Sequence, residues 1–101
     1  MIGIDCIVAL KAIGELNRLR IVRLLLKERL GVNEIAARLK MSQYNVSKHL
    51  KILREAALLD TEKQGKYRLY TVVPHLKKHL ASNANVLELD CCTFRFDKLP
   101  K

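Results

Sequence analysis

Ser42-Gln43-Tyr44-Asn45-Val46-Ser47-Lys48-His49-Leu50-Lys51-Ile52-Leu53 decides how this 101-residue chain is read. Val46, Leu50 and Leu53 stand at i, i+4 and i+7, one stripe of a 3.6-residue period, so the spacing predicts a helix over Ser42 to Leu53. Ser42 suits its N-cap, because the hydroxyl oxygen can accept a free N–H of the first turn. The opposite side, with Gln43, Tyr44, Asn45, Ser47, Lys48, Lys51 and Arg54, carries no acid before Glu55. A face that is merely solvated usually mixes long charges of both signs. Amide, hydroxyl and basic groups without carboxylates are what base edges and phosphates bond.

Working outward, Val32 to Lys40 reads as a short helix with Ile35, Ala36 and Leu39 as its inner stripe, and Lys40-Met41 is a tight connection into Ser42. Two short helices joined by a brief turn, the second more polar outside, make the helix-turn-helix plan, and Ala36 lets them approach closely. Leu16 to Lys27 is a longer helix with Leu19, Val22, Leu25 and Leu26 at helical spacing, Asn17 as its candidate cap, and Arg18, Arg20 and Arg23 on its wet side. Residues 4–13 form a first helix with Ile4, Ile7, Val8, Leu10 and Ile13 near one face, closed by Gly14. Beyond Leu58-Leu59 the period drops to two: Tyr67, Leu69, Thr71 and Val73 alternate with Arg68, Tyr70 and Val72, and Gln64-Gly65-Lys66 supplies the turn of a β-hairpin. Its tip sets Lys63, Lys66 and Arg68 against Glu62, a suitable wing for a phosphate backbone. Pro74 ends the strand and opens a helix over His75 to Asn83, with Leu76 and Leu80 at i and i+4.

The bulk properties agree with one small domain that needs help from dimerisation. The net charge is +9, and all of it lies in residues 1–85, which hold 16 basic and 7 acidic side chains; residues 86–101 hold three of each. A basic body favours a polyanionic partner, nucleic acid or an anionic membrane surface. Asp5, Lys11, Glu15, Arg18, Arg20 and Arg23 interrupt the apolar stretch from Ile2 to Leu26, which excludes a membrane span and the layout of a signal peptide and points to a cytoplasmic protein. No nucleophile has a base and an orienter beside it and no Gly-rich loop cradles a phosphate, so an enzyme is not expected.

The order of helices, hairpin and final helix, with three segments inside it, resembles the ArsR/SmtB family of bacterial winged-helix repressors from about Ile7 to Leu80. Ala12-Ile13-Gly14-Glu15-Leu16-Asn17-Arg18-Leu19-Arg20-Ile21 resembles the family's junction of first and second helices. Ser42 to Leu50, with Leu53-Arg54-Glu55-Ala56, resembles its recognition helix. Gln64-Gly65-Lys66-Tyr67-Arg68-Leu69-Tyr70 stands where its wing belongs. The resemblance implies a mainly α fold with a β-hairpin, a dimeric winged helix-turn-helix in which residues 1–85 bind DNA and dimerise and residues 86–101 form a tail. It also implies a homodimer built on the first and last helices, an operator that is an imperfect inverted repeat in double-stranded DNA, and release when a metal, metalloid or redox signal acts.

In such a dimer the two Ser42–Leu53 helices enter successive major grooves about 34 Å apart. Ser42, Gln43, Tyr44, Asn45, Ser47 and His49 are the candidate base and sugar contacts, while Lys48, Lys51, Lys63, Lys66 and Arg68 are the candidate phosphate contacts. A winged-helix module that docks an acidic protein or RNA is the competing reading, and specific binding to a palindromic duplex separates the two.

The family's thiol site on the third helix has no counterpart here, since Leu30-Gly31-Val32-Asn33-Glu34 contains no cysteine. His75 and His79 share a face, but Lys77 and Lys78 make them a poor cation site. That leaves Cys6, Cys91 and Cys92, an odd set for a disulfide framework and expected as thiols in a reducing compartment. The apolar face of the tail is odd-numbered through Leu87, Leu89 and Cys91 and even-numbered through Cys92, Phe94 and Phe96, so a bulge or bend is expected at the cysteine pair. A disulfide between the two neighbours is disfavoured, because their Cα atoms lie about 3.8 Å apart, closer than the usual disulfide span. Two thiolates suit a soft ion. The resemblance supplies trivalent arsenic or antimony as effector at Cys91 and Cys92, with Cys6 as a third ligand and no obligatory cofactor; a thiol redox switch and plain packing of the tail stand beside it.

Overall fold

The computed structural model describes residues 5–89 and 91–96. Ile4, where the periodicity starts the first helix, Asp90 and the last five tail residues lie outside them. The order is α1 (Cys6–Ile13), α2 (Leu16–Lys27), α3 (Val32–Leu39), α4 (Gln43–Glu55), β1 (Leu59–Gln64), β2 (Tyr67–Val72), α5 (Pro74–Ser82), β3 (Val86–Glu88) and β4 (Thr93–Arg95).

Helix α2 is the hub, packing against α1, α3, α4 and β2. Its Ile21, Val22 and Leu25 meet Ile35 and Ala36 of α3 and Val46, Leu50 and Leu53 of α4 in one core that also takes in Leu76 and Leu80 of α5. Lys40 makes the α3–α4 turn in the left-handed region, φ 55°, with the Met41 N–H returning to the Ala36 carbonyl at 3.0 Å. Helix α4 runs two residues past Leu53, to Glu55, and closes with Ala57 at φ 64° and the Leu58 N–H on the Leu53 carbonyl. That closure is a left-handed C-cap made without glycine.

Three helical expectations need correction. Glu15, not Asn17, caps α2: its carboxylate accepts from the N–H groups of Asn17 and Arg18 at 3.0 and 3.1 Å. A carboxylate there also meets the positive end of the helix dipole. In α1 the buried residues are Ala9, Ala12 and Ile13, whereas Ile7, Val8 and Leu10 are 54, 45 and 38 % exposed. This helix is apolar nearly all round, so the period cannot choose its face; the small alanines allow close packing and the larger side chains are left outside. Gly14 ends α1 at φ −77° rather than in the left-handed region, and it is required for room, since a Cβ there would stand 2.8 Å from the Leu10 carbonyl oxygen.

The wing is an antiparallel pair with Leu59 opposite Val72 and Gln64 opposite Tyr67. Gly65 takes φ 58° in its turn, a conformation that two-residue hairpin loops demand. Reciprocal Leu30–Tyr70 backbone bonds of 3.2 and 2.8 Å dock the wing on the α2–α3 link, and an Arg29–Glu62 ion pair reinforces the attachment.

The tail turns back on itself. β3 and β4 pair antiparallel, with Leu87 opposite Phe94, and Leu87, Leu89 and Phe96 join the core. The change of apolar phase at Cys91 and Cys92 is therefore the bend of a hairpin reversal, the second of the two expected alternatives, and not a bulge within one strand. Nor are all three cysteines thiols: Cys6 and Cys91 form a disulfide with Cα atoms 6.0 Å apart, while Cys92 is free and half-buried. The disulfide joins the β3–β4 connection to the first residue of α1, so Cys91 pairs with Cys6 and not with Cys92.

Candidate nucleic-acid interface

Helix α4 separates its two sides cleanly. Val46, Leu50 and Leu53 are fully buried, and Gln43, Tyr44, Asn45, Ser47, Lys48, Lys51 and Arg54 are exposed. The Ser42 oxygen accepts the Asn45 N–H at 3.1 Å, which makes it the N-cap, and its own hydroxyl proton stays available to a phosphate. Unpaired N–H groups at that first turn add positive partial charge where an anion would arrive. Lys48 lies over the Tyr44 ring, 5.4 Å from its centroid, and the cation holds the ring against the helix.

His49 is placed differently from the other candidates. It falls at i+3 from Val46, on the inner stripe, and its side chain is 19 % exposed. Nδ1 lies 3.3 Å from Arg18 Nη1 and 3.6 Å from Glu15 Oε2. Arginine has donors alone, so in this contact a neutral imidazole accepts through Nδ1. Arg18 in turn donates through Nε to the Ala12 carbonyl and through Nη2 to that of Lys11 at 3.4 Å. Partial burial pushes the Glu15 carboxyl up, but the N–H bonds from Asn17 and Arg18 and the nearby His49 and Arg18 charges outweigh it and hold the group below its ordinary range.

On the wing, Lys63, Lys66 and Arg68 are exposed at the tip, and Lys63 and Arg68 face each other across the ladder. Tyr67, 72 % exposed beside the turn, joins them as a candidate that alternation alone assigned to the strand. The exposed set on α4 and on the wing offers hydrogen-bond donors, amides and cations, the complement of a duplex with its anionic backbone.

The other candidate centre lies at the opposite end of α1. Cys6 and Cys91 are joined, Cys92 follows in the chain, and among the described residues no group of three or more His, Cys, Asp or Glu side chains is placed to hold a metal ion. His79 is engaged elsewhere, its Nε2 accepting the Glu88 N–H at 3.3 Å, so it does not form a site with His75.

The missed residues are Glu15, Arg18 and Tyr67. Arg18 reads as a solvated charge because its partners are carbonyls of another helix, which no period reveals. The spacing 46, 49, 50, 53 does place His49 on the inner stripe.

Comparison with known proteins agrees with this geometry. A family model described as bacterial regulatory protein, arsR family, matches residues 16–61. The transcriptional activator HlyU of Vibrio cholerae is 39% identical over 66 residues, 65% of this chain and 61% of that protein. The arsenical resistance operon repressor of Escherichia coli is 43% identical over 68 residues, 65% of this chain and 57% of that protein. The chain thus spans about three fifths of the length of these two relatives. The solved structure of reduced HlyU from Vibrio cholerae superposes with a TM-score of 0.65 at 34% identity, covering 77% of this chain and 86% of that one. With its winged helix-turn-helix, its matched segment and these regulators as relatives, the chain belongs to the ArsR family of bacterial regulatory proteins.

Proposed function

We propose that this protein is a homodimeric repressor that reads an inverted-repeat operator and lets go when its cysteine sulfurs change state. One observation carries the reading: α1 presents Ile7, Val8 and Leu10 to solvent and also holds Cys6, bonded to Cys91 of the tail hairpin. An apolar face on a small basic domain calls for a cover, and a second copy laid on α1 supplies it. Sulfur chemistry at Cys6 then acts on the same helix that sets the distance between two recognition helices. Oxidation of the two thiols removes two electrons and two protons, delivered to an oxidant such as peroxide, and ties α1 to the tail; the dithiol form holds the operator. Gln43, Asn45 and Ser47 read bases, and Lys48, Lys51, Lys63, Lys66 and Arg68 hold phosphates.

A second reading, arsenite or antimonite as effector, is favoured by the likeness to a repressor of arsenical resistance. The fit is partial. The disulfide shows that Cys6 and Cys91 can bring their sulfurs together, so in the reduced protein they supply two of the three thiolates that a pyramidal As(III) takes, and Cys92 is the adjacent third.

The test of operator reading uses fluorescence anisotropy on duplexes selected by the protein from a random pool. Two half-sites one helical turn apart are expected to bind far more tightly than one half-site. The log–log salt slope is expected to be about −0.9 per neutralised phosphate. Equal affinity for one and two half-sites, or preference for RNA, would remove the reading.

A further inference from the structure

We propose that His49 is a positioning residue of the recognition helix and not one of its readers, held in place by Arg18 and through it by the end of α1. Its neighbours Lys48 and Lys51 stand in solvent, whereas the His49 ring lies against the α1–α2 junction. Three helices meet at one guanidinium. Arg18 belongs to α2, whose N-cap Glu15 also approaches His49; two of its nitrogens bind the Lys11 and Ala12 carbonyls of α1; a third donates to His49 of α4. The carbonyls in the last turn of a helix lack partners within it, and a positive charge there meets the negative end of its dipole, so Arg18 satisfies α1 while it holds α4.

The apolar stripe of α4 cannot do this work alone. Val46, Leu50 and Leu53 fix which side of the helix is buried, but dispersion contacts are not directional and tolerate a small roll about the helix axis. One directional bond midway along that stripe removes the roll. Gln43, Asn45 and Ser47 then leave the protein at a set angle, and base readout depends on that angle, because bidentate pairing with base edges has narrow geometry. The operator specificity of this chain therefore depends on Arg18 and Glu15, neither of which lies on the recognition helix.

This inference rests on operator reading, and its experiment separates the two. Dissociation constants are measured for the selected duplex and for an unselected duplex of equal length, over a salt series, with wild type, R18M, H49L, H49Q and the R18M/H49L double variant; thermal melts confirm folding. Loss of a hydrogen bond to a charged partner is expected to weaken selected binding about tenfold in R18M and in H49L. The double variant should lose no more than the weaker-binding single, since the Arg18–His49 bond is already absent from each. Unselected binding and the salt slope should stay as in wild type, and H49Q, whose amide oxygen can accept from Arg18, should keep selected binding within about threefold of wild type.

If His49 contacts a phosphate, H49L instead weakens both duplexes and lowers the salt slope by about 0.9. If it reads a base, H49Q changes the preferred sequence and the losses in the double variant add. Either result overturns the proposal, as does wild-type affinity in both R18M and H49L. Should H49L and R18M fail to fold, the sequence preference of H49Q decides alone: unchanged supports positioning, altered overturns it. Failure of operator reading itself would appear in wild type, as equal affinity for selected and unselected duplexes, and removes both readings together.

Discussion

Cys6 and Cys91 are separated by 85 positions in the chain and joined by a disulfide, with Cα atoms 6.0 Å apart. The bond ties the first turn of α1 to the tail hairpin and so links nearly the whole chain into one loop. Closing so long a loop restricts the unfolded state strongly. Reduction is expected to lower stability by about 2–4 kcal/mol, read as a fall in the urea midpoint, and C91S should match the reduced protein within error.

Ala57 closes α4 at φ 64°, where an L side chain is strained and glycine is not. It is exposed, so no packing is lost when its methyl group goes. Ala57→Gly is expected to raise stability by about 0.5–1 kcal/mol, after the entropy glycine adds to the unfolded chain, and a denaturant titration measures it. A lower midpoint would show that the cap is relaxed.

Ser42 accepts the Asn45 N–H and so begins the recognition helix. Ser42→Ala should cost about 1 kcal/mol of stability. It should also speed amide exchange in the first turn of α4 while leaving that of α2 unchanged, which hydrogen-exchange measurements resolve residue by residue.

The Glu15 carboxyl titrates below its ordinary value of 4.5 in the folded protein. A depressed folded-state pKa means that its stabilisation is complete above the unfolded value and is lost as pH falls through the folded one. The gap in melting temperature between wild type and Glu15→Gln is therefore expected to be widest above pH 5 and to narrow steadily below about pH 4.5. A gap that widens on acidification would contradict the cap.

Much of this was legible in the residues. The 3.6-residue stripes of α2, α3 and α4 and the alternation of β2 place those elements within a residue or two, because each has one wet and one dry side. The face of helix α1 is not legible for the opposite reason: Cys6-Ile7-Val8-Ala9-Leu10 offers apolar groups in every direction, and the choice of face belongs to what the helix packs against. The tail showed its reversal as a change of apolar phase but not its topology, since Leu87 meets Phe94 through a turn that no alternation specifies. The Cys6–Cys91 pairing was likewise hidden, because it depends on where that turn delivers Cys91. At the DNA face, exposed Gln43, Tyr44, Asn45, Ser47 and the lysines follow directly from the period, whereas Arg18 and Glu15 act through backbone groups of other helices.

If the sulfur state of α1 governs the hold on DNA, the two redox forms of the protein bind the operator differently. The dissociation constant for the selected two-half-site duplex is determined on one preparation as the disulfide form and again after reduction under argon, with C91S in parallel. A coupling between sites of the usual size predicts binding about tenfold weaker in the disulfide form, and no difference between oxidised and reduced C91S. Equal affinity of the two wild-type forms would show that the disulfide has no influence on DNA binding.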